Sequence, residues 1–233
     1  ANLMYGVLLI GLLSVVLVGF SGPEVSVLQV HPLSVLMLII YIAGSKLISS
    51  ARENPMWRPR MTLETVKDIP AENHLNNLSL KKVVFKFVLL AILVAGSGYA
   101  VARSGIVIAG QTGLSESFVG TLFTAVSTSL PELIVSIAAV RQRALTLAVS
   151  NIIGGNTFDV LFVAFADMAY SKGSILHAVT QDQVFIVALT LLMSSALILG
   201  LLHREQKGIG KIGWESFLII ILYLGGNAFL LFG

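Results

Sequence analysis

Seven runs of mainly apolar residues dominate the chain: Leu3 to Phe20, Leu33 to Ala51, Leu80 to Arg103, Val119 to Val140, Leu145 to Tyr170, Val184 to Leu202 and Gly213 to Phe232. Each is close to the length of about 20 residues that carries an α-helix across the hydrocarbon of a bilayer. In hydrocarbon every backbone N–H and C=O must be satisfied within the segment, so runs of this kind fold as helices. The expected fold is all-α, a polytopic membrane bundle of about seven transmembrane helices. With 56% hydrophobic and 12% charged residues in 233, the composition agrees, since soluble domains carry about 25% charged residues.

The net charge of +3 does not point to nucleic acid, because the basic residues sit between the apolar runs. Loop one has none. Loop two has Arg52, Arg58, Arg60 and Lys67, with Lys81 and Lys82 just beyond it, and loop three has Arg103. Arg141 and Arg143 lie in loop four, Lys172 in loop five, and Arg204, Lys207 and Lys211 in loop six. The alternation assigns loops two, four and six, and with them the N-terminus, to the cytoplasm. The polar stretch 52–79, with Pro55, Pro59 and Pro70, reads as a connecting loop that divides residues 1–51 from residues 80–233. Ala1 is not an initiator Met, and the first run lacks the basic flank of a signal peptide, so it is read as a retained span of a chain whose start lies upstream.

Two of the runs contain carboxylates at depth. Glu132 follows Ser127-Thr128-Ser129-Leu130-Pro131, and Asp159 ends Asn151-Ile152-Ile153-Gly154-Gly155-Asn156-Thr157-Phe158-Asp159. An ionisable side chain inside a span costs several kcal/mol, so it calls for a partner or a task. Pro131 lacks the N–H that would reach the Ser127 carbonyl, and a break is expected just before Glu132. Gly154-Gly155 is expected to weaken the second helix. Helical spacing places Glu132 on one face with Ser129, Thr128 and Ala125, and Asp159 with Asn156 and Gly155. These are hard oxygen donors. The chain has no cysteine, so the inventory suits Na⁺ or Ca²⁺ rather than Zn²⁺ or Cu⁺.

Other polar residues read more plainly. Asp167 and Glu215 are expected at the interface, and Trp57 and Trp214 as interface anchors. His31, His74, His177 and His203 fall in loops or span ends with no partner at ligand spacing. Gly96, Ser97 and Gly98 are expected to permit close helix contact.

Ser-Thr-Ser-Leu-Pro-Glu-Leu at 127–133, followed by Asn-Ile-Ile-Gly-Gly-Asn-Thr-Phe-Asp at 151–159, resembles an α-repeat of the sodium/calcium exchanger superfamily. The resemblance implies half of an inverted-repeat fold, with Leu3 to Phe20 and Leu33 to Arg52 as the last spans of a preceding half. It implies a cation site in which Glu132 is the central ligand, Thr128, Ser129 and the Ala125 carbonyl its neighbours, and Asp159 the ligand from the next span, assisted by Asn156. It further implies antiport of Ca²⁺ against Na⁺ or H⁺, without an organic cofactor, in a prokaryotic cell membrane. The transported ions are the substrates and the lipid bilayer the surrounding partner. Gly155 departs from the pattern where the family has a serine, and so removes one oxygen. Residues 1 to 115 hold no second such repeat, so a partner repeat is expected in the missing part of this chain or in another chain. Loop charge fixes one orientation and argues against inverted self-pairing. A passive cation channel and an incomplete, inactive half-transporter are the alternatives. No Walker motif suggests an ATP-driven pump, and no enzymatic activity is expected.

Overall fold

The computed structural model describes residues 2–53, 79–142, 144–203 and 213–232. Most of the 52–79 loop lies outside them, as do Trp57, His74, Arg143 and the basic residues of loop six. Among the described residues the regular structure is helical: α1 (Asn2–Ser21), α2 (Pro32–Glu53), α3 (Leu80–Thr112), α4 (Glu116–Val119), a π-turn (Gly120–Thr124), α5 (Ala125–Arg141), α6 (Leu145–Asp159), α7 (Leu161–Ala169), a 3-10 turn (Ile175–His177), α8 (Gln181–His203) and α9 (Trp214–Phe232). Counting α4 to α5 as one span and α6 to α7 as another, seven segments are long and apolar enough to cross a membrane. The polytopic all-α expectation holds.

α1 is the central element and packs on α2, α6, α8 and the 3-10 turn. Its buried residues, Gly6, Leu9, Leu12, Leu13, Val16 and Gly19, follow the three- and four-residue spacing of one helix face. Leu12 and Val16 meet Met37 of α2 and Leu161 and Ala164 of α7 in the main apolar cluster. The outward aliphatic side chains of the other helices match a lipid-facing surface, where burial inside protein is not required.

α3 differs from expectation. It runs past Arg103 to Thr112 and stops where Gly113 takes a left-handed conformation, φ 73°, and donates back to the Ala109 carbonyl. A basic residue inside an apolar helix does not end it, because the long side chain can carry its charge toward polar surroundings. Thirty-three residues make a helix of about 50 Å. It touches the rest through α4 and the π-turn. Gly96 and Gly98 therefore have open space around them, and Ser97 bonds to its own helix at Leu93, contrary to the close contact expected there. Close approach occurs instead at Gly6 against Ile198, Gly44 against Leu8 and Gly226 against Leu189, where an added Cβ would collide.

Asp167, near the end of α7, is fully buried inside the protein. One carboxylate oxygen accepts from the His31 backbone N–H (2.8 Å) and the Ser34 hydroxyl (2.6 Å), the other from the Ser174 hydroxyl (2.6 Å) and the Ile175 N–H (2.8 Å). These donors belong to the first turn of α2 and the start of the 3-10 turn. The α2 start is built for this: Pro32 occupies the first helical position and His31 Nδ1 caps the Leu33 N–H at 3.0 Å. An anion at a helix N-terminus gains from the dipole as well as from the donors. One side chain thus ties the loop between α1 and α2 to the connection between α7 and α8.

Asp167→Ala is expected to leave these donors without an acceptor and to cost on the order of 3 kcal/mol. Thermal unfolding in detergent micelles measures it, and an unchanged melting curve would exclude the role.

Candidate cation site

The α4 start follows ordinary capping chemistry, with the Ser115 hydroxyl accepting from the Phe118 N–H (3.1 Å) and Glu116 in the first turn. The helix then widens at Gly120–Thr124 and resumes as α5, which runs unbroken through Pro131. The expected break before Glu132 is therefore displaced two turns toward the N-terminus. Proline removes one hydrogen bond, from its own nitrogen to the Ser127 carbonyl, and the other bonds of a long span keep the helix going.

Hydroxyls on this stretch bond back to their own helix. Ser127 Oγ donates to the Phe123 carbonyl (2.7 Å), and Thr128 Oγ1 to those of Thr124 (3.0 Å) and Ala125 (3.1 Å). A hydroxyl whose proton points into the helix turns its lone pairs outward, the orientation a cation ligand needs.

The second helix also departs from expectation at its weak point. α6 passes through Gly154-Gly155 and ends at Asp159; Val160 is a turn, and α7 begins at Leu161. Two glycines carry a propensity cost, and tertiary packing overrides it. Thr157, fully buried, anchors this stretch, with Oγ1 donating to Ile153 O (2.6 Å) and 3.3 Å from Tyr5 O of α1. Lower on the same helix Ser150 Oγ donates to Asn2 Oδ1 at 2.7 Å.

α5 and α6 are neighbours, and Asn151 links them, its Nδ2 lying 3.4 Å from the Glu132 carbonyl and 3.3 Å from Ser136 Oγ. This link was not assigned from the sequence. Glu132 and Asp159 come within coulombic reach of each other. With Ala125, Thr128, Ser129 and Asn156 they are all exposed on the two adjoining helices. The carboxylates accept no hydrogen bond among the described residues, and no group of three His, Asp or Glu side chains that could hold a metal forms there. What the arrangement offers is two carboxylates with neighbouring hydroxyl, amide and carbonyl oxygens. Gly155 leaves empty space on the same helix.

His31 and His177, which share no spacing in sequence, come together in the fold with ring centroids 5.1 Å apart. Only the packing of α1 and α2 against the 3-10 turn could have revealed this pair.

Seven apolar spans define a multi-pass membrane protein, and two adjoining spans carry exposed carboxylate, hydroxyl and amide oxygens. Residues 82–232 match the sodium/calcium exchanger protein family, and the chain belongs to that family, a family of transporters for cation antiport. A sodium/calcium exchanger of Methanosarcina acetivorans is 28% identical over 146 residues, 61% of this chain and 41% of that protein. A putative antiporter of Alkalimonas amylolytica is 34% identical over 131 residues, 55% of this chain and 41% of its own length. An uncharacterized membrane protein of Methanocaldococcus jannaschii is 31% identical over 166 residues, covering 69% of this chain and 50% of the relative. The chain thus spans half or less of the curated relatives it matches. No solved structure matches it.

Gly155→Ser is expected to fit without a clash and to raise stability by about 0.5 kcal/mol, the difference in helix propensity between the two residues. Thermal unfolding in detergent checks it; a lowered melting temperature would show that the space is needed empty.

Proposed function

We propose that the chain supplies half of a secondary active antiporter exchanging Ca²⁺ for Na⁺ or H⁺. The observation that carries the reading is that Glu132 on α5 and Asp159 at the end of the adjoining α6 lie within coulombic reach of each other, both exposed and with no protein donor to either among the described residues. Two unpaired acids at membrane depth repel each other and are costly to desolvate; a divalent cation, or two monovalent ones, offsets both effects. Thr128 and Ser129 would add hydroxyl oxygens, Asn156 its amide oxygen and Ala125 its carbonyl. The set lies on one side of an ion, so the proposal includes a second repeat, in the same or a partner chain, that closes the other side. In this division residues 1–51 end a preceding half, 52–79 connect and 80–233 form the second half.

Exchange follows from charge. An empty pair of carboxylates resists passage through a dry barrier, whereas a loaded pair is close to neutral, so the site crosses only when carrying one ion or the other. Proton competition is centred on Asp159. The setting is a prokaryotic cell membrane, with loops two, four and six and the N-terminus in the cytoplasm.

Reconstitution into proteoliposomes tests this. Ca²⁺ uptake should follow an imposed outward Na⁺ or H⁺ gradient; uptake indifferent to both would make the protein a passive channel. Glu132→Gln should abolish exchange, at least a hundredfold, with insertion intact, and transport at the original rate would remove Glu132 from the mechanism. Asp159→Asn should change the ratio of apparent affinities for Ca²⁺ and the counter-ion more than the maximal rate. Gly155→Ser, which adds an oxygen beside the pair, should tighten apparent Ca²⁺ affinity.

A further inference from the structure

The direction in which Glu132 leaves α5 is set by the π-turn ahead of it. A π-turn holds one residue more than an α-helical turn, and one residue corresponds to about 100° of rotation and 1.5 Å of rise for everything beyond it. Such a turn leaves backbone groups out of helical register and persists where something else satisfies them. Here that something is α9. The Tyr223 hydroxyl donates to the Thr121 carbonyl inside the π-turn at 2.8 Å. Thr121 Oγ1 lies 2.9 Å from Asn227 Oδ1 and shares its one proton between that oxygen and the Ser117 (2.9 Å) and Phe118 (3.2 Å) carbonyls of its own helix, while Asn227 Nδ2 donates to the Tyr223 carbonyl at 2.9 Å. The last bond fixes the amide so that its oxygen faces Thr121.

Tyr223 and Asn227 are four residues apart on one face of α9. Asn227 is 7% exposed in an otherwise apolar span, and both ends of its amide are occupied by this network. An amide buried in a membrane helix is costly without such partners. We infer that Tyr223 and Asn227 are positioning residues for Glu132: through Thr121 they hold the widened turn and thereby the rotational setting of α5. This rests on reading Glu132 as a cation ligand, and it extends that reading to a helix with no ligand of its own.

Cysteine cross-linking provides a direct test, because residues 1–233 contain no cysteine. A pair replacing Ser136 and Asn151, whose side chains meet at 3.3 Å, reports the setting of α5 against α6. A pair replacing Asn2 and Ser150, in contact at 2.7 Å, reports α1 against α6 and serves as the folding control. In Tyr223→Phe with Asn227→Leu, disulfide formation at the first pair should slow at least fivefold and the second should be unaffected. On the cysteine-free chain in proteoliposomes, the same double variant should raise the Ca²⁺ KM about tenfold with a smaller change in kcat. Deleting Leu122, which removes the extra residue, should abolish the first cross-link. Thr121→Ser, which keeps the hydroxyl, should behave as the original.

Equal slowing at both pairs, or no change at the first, overturns the inference. Slowing confined to the first pair with an unchanged Ca²⁺ KM upholds the hold on α5 and rejects Glu132 as a cation ligand, so the two readings fail separately.

Discussion

The structure depends on one constraint: an acid placed among apolar helices must be given donors by the protein or a cation from outside. Asp159 and Asp167, eight residues apart in the same span, differ in whether the protein supplies the donors. Asp167 receives two backbone N–H groups and two hydroxyls from two helical starts, and no capacity remains for an ion. Asp159, at the end of α6, receives none among the described residues, and the charge that bears on it is another acid, Glu132. Composition alone cannot separate the two residues. Their surroundings do, and they divide the span into a part that fastens the bundle and a part that faces outward.

The spans themselves were legible because hydropathy is a local property that tertiary context does not override: all seven appear within a few residues of their expected ends, α3 excepted. The placement of the helix interruptions was not. Pro131 and Gly154-Gly155 are poor helix formers, yet the helix passes through them, and the irregularities fall at Gly120–Thr124, which opens on another glycine, and at Val160. Propensity measures the local cost of a helix, whereas the position of a break is decided by where freed backbone groups find partners, and the partner of Thr121 is Tyr223, 102 residues away. The burial of Asp167 was hidden for the same reason, two of its donors, at His31 and Ser34, lying 136 and 133 residues distant.

The shared helix face of α5 was more legible than the framework that presents it. Helical spacing alone puts Glu132, Ser129, Thr128 and Ala125 on one face, and the fold keeps them there because α5 continues through Pro131. Its continuity preserves the register that the sequence pattern assumes. A break at the proline would have turned Glu132 away from Thr128, so the failure of one expectation is what allows the other to hold. Asn151 could not be assigned a role from spacing, since its function is to join α6 to the carbonyl of Glu132 itself.

The face carrying the donors is held from behind. α6 supports α5 through Asn151, α1 supports α6 through Thr157 and Ser150, and α9 grips the turn from which α5 begins. α3 packs on α4 and on the same π-turn, where Gly105 leaves room for the Thr124 side chain. A tilt of this long helix would therefore reach the irregular segment between α4 and α5, on which α3 packs. Tyr223 and Asn227 oppose that displacement, because they fix the same segment from the other side. An ion bound at Glu132 and α3 leaning on the π-turn would thus act on a single element, the rotation of α5, and a shared element of that kind is what coupling between ion occupancy and helix movement requires.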